Sequence, residues 1–165
     1  MNIATHILAP TNSSEASAAA VTVAGELARR FKAKLTLLRV HGYPPEPPEA
    51  YVPKEQLYFK DDMDADAMAD LDKLRSTEFS DIEGMVLAVA MDSSPSHAIN
   101  DYAAKHDVNL IVMGSHERTG LAHFFHGSVA EKVVKHAPCP VHIVPHKDCQ
   151  STEVMPQVLV VQKTY

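Results

Sequence analysis

Gly114 closes the apolar run Leu110-Ile111-Val112-Met113, and Gly127-Ser128 stands directly before the helical pattern Val129-Ala130-Glu131-Lys132-Val133-Val134-Lys135-His136. A strand, a glycine-bounded loop and a helix start make a cradle for a phosphate. Glycines let backbone N–H groups approach an anion, and the first helical turn adds unpaired donors at the positive end of its dipole. The Ser128 hydroxyl can donate to the same oxygen. The same residues also make an ordinary turn and N-cap, so spacing alone leaves both readings open. Neither a GK[ST] phosphate loop nor GxGxxG occurs.

Other residue clusters suggest other chemistry. Eight of the ten histidines lie between His97 and His146, and His116, His123 and His126 fall in or beside the glycine-bounded loop. Three imidazoles suffice for Zn²⁺, and His123 and His126 have workable i, i+3 spacing, but no cysteine joins them, and the expectation is no metal site. Ser128 lacks the GxSxG elbow of a hydrolase nucleophile. The acids from Asp61 to Asp72 have no glycine at the turn position of a calcium loop and read as a solvated, acidic helix start.

These residues must be positioned by regular elements. Short apolar runs predict five strands, near residues 4–9, 34–40, 85–90, 109–113 and 140–145, of the kind buried on both faces of a parallel sheet. Between the first two, Val21, Ala24, Leu27, Ala28 and Phe31 recur at helical spacing, with Ser13 or Ser14 as N-cap and Glu15 in the first turn. Further helices are predicted at about 62–78, 96–106 and 128–136. The alternation implies an open α/β sheet with helices on both faces, whose ligands belong beyond the carboxyl ends of the strands. Residues 41–60 hold five of the eleven prolines and read as an irregular insertion in a single domain over residues 1–147. Residues 148–165 form a C-terminal extension. Its Val158-Leu159-Val160-Val161 reads as a strand pairing with the sheet edge of its own chain or of a partner.

Composition narrows the classes. An apolar share of 45% with 22% charged residues is that of a globular domain rather than a disordered chain. No apolar run approaches the roughly 18 residues needed to span a bilayer. Residues 46–83 carry twelve acids and four bases, a local balance of −8 within a net charge of −6. No basic stripe is left to meet nucleic acid. The N-terminus shows no basic segment followed by an apolar one, so a cytoplasmic location is expected. Cys139 and Cys149 form no CxxC pair and are expected as free thiols.

The segment Gly114-Ser115-His116-Glu117-Arg118-Thr119-Gly120-Leu121, then Gly127-Ser128-Val129-Ala130-Glu131-Lys132-Val133 and Ala137-Pro138-Cys139-Pro140-Val141, resembles the universal stress protein family. The likeness extends to Ile7-Leu8-Ala9-Pro10-Thr11, Pro95 and Ile99, and covers about residues 3–145. It implies a five-stranded parallel sheet of the adenine nucleotide alpha hydrolase-like, Rossmann-like type. It also implies a homodimer through the last strands and, in one branch of the family, an ATP site built around G-x2-G-x9-G-[ST]. Matched onto this chain, the nucleotide-contact positions are Pro10, Asn12, Val40, Met113, Gly114, His116, Glu117, Gly127, Ser128 and Val129. Two of them depart from the family pattern. Glu117 replaces the second glycine, and Asn12 replaces the aspartate that holds adenosine. The resemblance thus implies a regulatory protein of the stress response that binds ATP, ADP or AMP, with Mg²⁺ only beside a triphosphate and at most slow ATP hydrolysis. The alternative is a nucleotide-free dimeric interaction module of the same fold, which the two departures favour.

Overall fold

The computed structural model describes residues 4–42, 56–116, 129–146 and 159–161, with residues 56–62, 116, 146 and 159–161 described by backbone only. In chain order the elements are β1 (His6–Thr11), α1 (Glu15–Phe31), β2 (Lys34–His41), α2 (Gln56–Glu78), β3 (Val86–Met91), α3 (Pro95–Lys105), β4 (Leu110–His116), α4 (Val129–His136), β5 (Val141–His146) and β6 (Leu159–Val161). The five expected strands are present, each within a few residues of the sequence expectation.

Period-two alternation along the strands divides the interior into two cores. Ile7, Ala9, Leu35, Leu37 and Val112 face a cluster completed by α1 and α2, while Leu8, Leu38, Ile111 and Met113 face one completed by α3 and α4. The strands are apolar on both faces because both faces are covered. Helix α1 meets the sheet through Ala16, Ala20, Ala24 and Ala28, an i, i+4 stripe of small residues, and starts at the Ser14 N-cap, whose Oγ accepts from Ser17 N–H at 3.2 Å.

The sheet order is β3-β2-β1-β4-β5-β6, with the first five strands mutually parallel. From β1 the chain winds outward one way to β3 and the other way to β5, so the order reverses between β1 and β4. That junction is short. Only Ile7↔Leu110 and Leu8↔Ile111 are in register, after which Ala9-Pro10-Thr11 and Val112–His116 run on unpaired with each other. Pro10, which has no N–H to donate, stands in this unzipped stretch. Asn109 holds the other end shut: its Oδ1 accepts from Thr5 and His6 N–H, both at 3.0 Å, and its Nδ2 donates to Thr5 Oγ1 at 2.6 Å.

Two expectations need correction. The irregular segment assigned to residues 41–60 is narrower, because β2 runs to His41 and α2 begins at Gln56; residues 43–55 lie outside the described residues. Proline content hid the helix start, since all five prolines of that segment precede Gln56. The acids Asp61 to Asp72 consequently lie within α2 rather than at its start, with Asp66, Asp70 and Asp72 exposed. The expected C-terminal strand is present as a sixth strand, antiparallel to β5 of its own chain, with Ile143↔Leu159 and Val141↔Val161 in register.

Candidate functional site

Where β1 and β4 part, a cleft of about 300 Å³ opens at the carboxyl ends of the strands. Its apolar floor and wall come from Leu38 and Val40 of β2, Met113 of β4, and Pro95 and Ile99 of α3. Period two explains this face, since Leu38 and Val40 point the same way as Met113. The rim on the β1 side is polar and is built by Thr11, Asn12, Ser14 and Ser17. Val129 and Ala130, in the first turn of α4, close the far side.

The rim is a tightly bonded turn. Ser14 N–H donates to Asn12 Oδ1 at 3.1 Å, Ser13 N–H to Thr11 Oγ1 at 3.4 Å, and Asn12 N–H to Ser17 Oγ at 3.4 Å, while the Ser17 hydroxyl donates to the Ser14 carbonyl at 2.8 Å. Ser13 adopts φ 62, a left-handed conformation that costs a non-glycine residue about 1–2 kcal/mol. Arg39 holds it there by donating to Ser13 Oγ at 2.9 Å while lying 3.5 Å from Asp70 of α2. On the α3 side, Asp92 Oδ1 accepts from Ser94 N–H at 2.8 Å and Oδ2 meets His97 Nδ1 at 2.7 Å. That bond holds the Asp92 carboxyl below its usual range and raises the His97 imidazole above its own. The turn seats Pro95 at the start of α3 and so presents Pro95 and Ile99 to the cleft.

Gly114 has a role that its motif position does not suggest. A Cβ there would lie 2.1 Å from the Ala16 carbonyl oxygen and 2.6 Å from its carbon, so the end of β4 runs directly against the first turn of α1. The glycine lets strand and helix touch.

Of the ten residues nominated from the sequence, Pro10, Asn12, Val40, Met113, Gly114 and Val129 line the cleft together. His116 ends β4, opposite His146 in register. Glu117, Gly127 and Ser128 lie outside the described residues, as do His123 and His126. Sequence reasoning passed over Leu38, Ser14, Ser17 and Ser115. Leu38 was available from period two alone, and Ser14 from its place as N-cap. Ser115 Oγ is buried at the cleft with no hydrogen-bond partner among the described residues, which only the packed structure reveals.

No ionisable side chain lines the cleft among the described residues. It offers shape, apolar surface, hydroxyl and amide groups, and two helix starts, but no acid–base pair. No cluster of three or more His, Cys, Asp or Glu side chains suited to a metal is assembled among the described residues, and no carboxylate there would ligate a Mg²⁺ accompanying a triphosphate. Cys139 is half-buried, and burial pushes its thiol up to about 11, which keeps it protonated and unreactive near neutrality. No helix among the described residues is long and apolar enough to cross a membrane.

Fold and cleft together define an α/β protein with a cavity at the point where the strand order reverses, the place where open sheets of this kind bind ligands. Residues 4–145 match the universal stress protein family, and the chain belongs to it. Universal stress protein MJ0531 of Methanocaldococcus jannaschii is 44% identical over 54 residues, which cover 33% of this chain and 32% of that relative. The match thus spans about a third of that curated relative's length. Among solved structures, universal stress protein UspA from Lactobacillus plantarum is 29% identical and superposes with a TM-score of 0.62 over 87% of this chain and 97% of that one. A universal stress protein solved in complex with cAMP shares the fold at 20% identity and a TM-score of 0.57, over 86% and 97% of the two chains.

Proposed function

We propose that this protein is a cytoplasmic regulatory protein of the stress response that binds one adenine nucleotide in the cleft between β1 and β4. The observation that carries the reading is that six of the ten positions matched to the family's nucleotide contacts line one cavity at the sheet's switch point. Its size sits at the lower end of small-ligand pockets and suits a mononucleotide. The purine lies on the apolar surface of Leu38, Val40 and Met113, the ribose against the Pro10–Asn12 rim, and the phosphate toward the start of α4. Burying a flat aromatic base on this surface supplies most of the affinity, at about 25 cal/mol per Å² of apolar area. With no acid–base pair in the described wall, the bound nucleotide acts as a signal rather than as a substrate.

Calorimetry with ATP, ADP and AMP tests the reading. One nucleotide binds per chain, and Val40→Trp, which fills the floor, abolishes binding while leaving the far-ultraviolet circular dichroism unchanged. If no adenine nucleotide binds at about 1 mM, the reading fails and the interaction module of the same fold takes its place. The homodimer belongs to the same proposal. With β5 covered by β6, the apolar three-residue β6 becomes the outer edge, and edge-to-edge pairing of two copies would bury it. A single-chain mass by light scattering would overturn that part.

A further inference from the structure

The two ends of the sheet are finished differently. On one side β5 is covered by the antiparallel β6, whereas β3 stands last in the order and pairs with β2 alone among the described residues. Exposure follows from this: all six residues of the central β1 are buried, while all six of β3, though more apolar, stay partly exposed. Proteins usually blunt such an edge with lysine, proline or a bulge. Val86-Leu87-Ala88-Val89-Ala90-Met91 has no charge, proline or glycine, and its register with β2 is unbroken from Thr36↔Val86 to His41↔Met91.

One hydrogen bond fixes the direction of the backbone groups. Asp92 N–H, just past the strand, donates to the His41 carbonyl of β2 at 2.9 Å. Backbone groups alternate sides along a parallel strand, so Ala88 and Ala90 turn theirs to β2, and Leu87, Val89 and Met91 turn N–H and C=O outward. A row of donors and acceptors thus lines an apolar edge.

The surroundings set the charge of what can bind there. Residues 63–92 hold eight acids and two bases. Asp81 and Glu83 precede β3, and Asp92 follows it. In α2, Ala67 and Leu71 face the core and Asp70 lies on the flank that meets Arg39. At 3.6 residues per turn, the exposed Met68 stands about 160° around the helix from Asp70, on the flank above the open edge. The nearby arginines are already engaged, Arg75 with Asp72 and Arg29 with Asp81, whereas Asp64, Asp66 and Glu83 make no ion pair among the described residues. Edge-to-edge pairing of two copies here would bring two acidic borders together, and a basic segment would relieve them.

We propose that the outer edge of β3 is a docking site for an extended, basic polypeptide segment, which adds to the sheet as a further strand. Leu87, Val89 and Met91 supply the main-chain hydrogen bonds. Apolar side chains at alternate positions of the segment continue the layer of Leu87 and Val89 toward Met68, and Lys or Arg at its ends meets the acids that bracket β3. No residue of β3 lines the cleft, so the site stands apart from the nucleotide reading.

The test is NMR hydrogen exchange and titration of the whole 165-residue chain with three synthetic peptides. They are Lys-Lys-Val-Thr-Val-Thr-Val-Lys-Lys, its counterpart with glutamate for every lysine, and the lysine peptide with proline for its central valine. In the free protein, the amides of Leu87, Val89 and Met91 exchange at least about tenfold faster than those of Ala88 and Ala90. The lysine peptide shifts resonances centred on residues 86–91 and slows the three outward amides by at least about tenfold. The glutamate and proline peptides bind at least about tenfold more weakly. Val89→Pro, which removes an outward donor and leaves the bonds to β2 in place, abolishes binding, and Glu83→Lys, at an exposed position, weakens it. The wild-type exchange pattern decides the matter even where Val89→Pro does not fold. Outward amides as protected as the inward ones would show an edge already covered by its own chain, and protection that rises with protein concentration would show a second copy there. Equal binding of the proline peptide would show charge attraction without strand addition. Each of these overturns the proposal, as does binding of the lysine peptide elsewhere on the chain, or none at about 1 mM.

Discussion

Replacing Gly114 by alanine separates two explanations of the same glycine. If it serves only to let an anion approach the backbone, Gly114→Ala is silent in the ligand-free protein. The structure gives a different expectation. The added Cβ would lie 2.1 Å from the Ala16 carbonyl oxygen, whereas real Cβ contacts essentially never fall below 3.0 Å, so β4 and α1 must separate by about 0.9 Å at that point. Neither side gives way easily. The obstacle is backbone, and α1 is fixed further along by Ala20, Ala24 and Ala28, each at most 1% exposed. Overpacking of this kind costs about 1–3 kcal/mol, and the loss of glycine's unfolded-state freedom returns about 0.4–1 kcal/mol. A net loss of about 1–2 kcal/mol remains, which at a urea dependence of about 2 kcal/mol/M lowers the midpoint by about 0.5–1 M. The assay is urea unfolding of the ligand-free protein followed by circular dichroism. A midpoint within about 0.2 M of wild type would refute the packing argument and return the glycine to a purely ligand-facing role.

Two further outcomes follow from the other end of the sheet. Asn109→Ala removes three hydrogen bonds that tie the start of β4 to Thr5 and His6, so unfolding free energy should fall by about 1–3 kcal/mol, while Asn109→Asp, which keeps the acceptor, should recover part of it. Stability should also fall as pH drops from 7.5 to 5.5. His6 is buried, donates through Nδ1 to the His106 carbonyl at 2.9 Å and accepts at Nε2 from the Thr36 hydroxyl at 2.8 Å, and desolvation chiefly lowers its affinity for a proton, as burial does for His142. With both folded values below the ordinary 6.5, the unfolded chain takes up protons first, so the loss begins near pH 6.5 and continues until the folded imidazoles protonate. The exposed His97, raised by Asp92, acts in the opposite direction only weakly. Chemical unfolding at a series of pH values checks this, and a stability that is flat or rises toward pH 5.5 would contradict it.

The strands were legible because a parallel sheet covered on both faces needs continuous apolar runs, and Ile7-Leu8-Ala9 or Leu110 to Met113 admits few other readings. Helix α1 followed from Val21, Ala24, Leu27, Ala28 and Phe31 at helical spacing and from a serine cap. What stayed hidden depends on contacts distant in sequence. His6 reads as an ordinary member of an apolar run, yet its ring is satisfied by a carbonyl one hundred residues away. The six nominated residues converge because two strands part after a short ladder, and no local pattern records where a ladder ends. The direction of the Asn12 amide is set by one backbone N–H, which composition and spacing do not show. Gly114 was visible as a glycine, but its reason, the proximity of Ala16, was not.

The short pairing between β1 and β4 also bears on how the chain is made. The central strand β1 finds β2 within its own βαβ unit, but its other neighbour begins at Leu110, in register with Ile7. At about 5–20 residues per second a ribosome needs roughly 5–20 s to cover that distance. Throughout that interval the inner edge of β1 has no partner strand. A nascent or truncated chain ending before Leu110 therefore presents the middle of the sheet as an open edge, the form of surface that chaperones hold and that aggregates seed from. The strand that anchors the finished fold is, during synthesis, its most exposed liability.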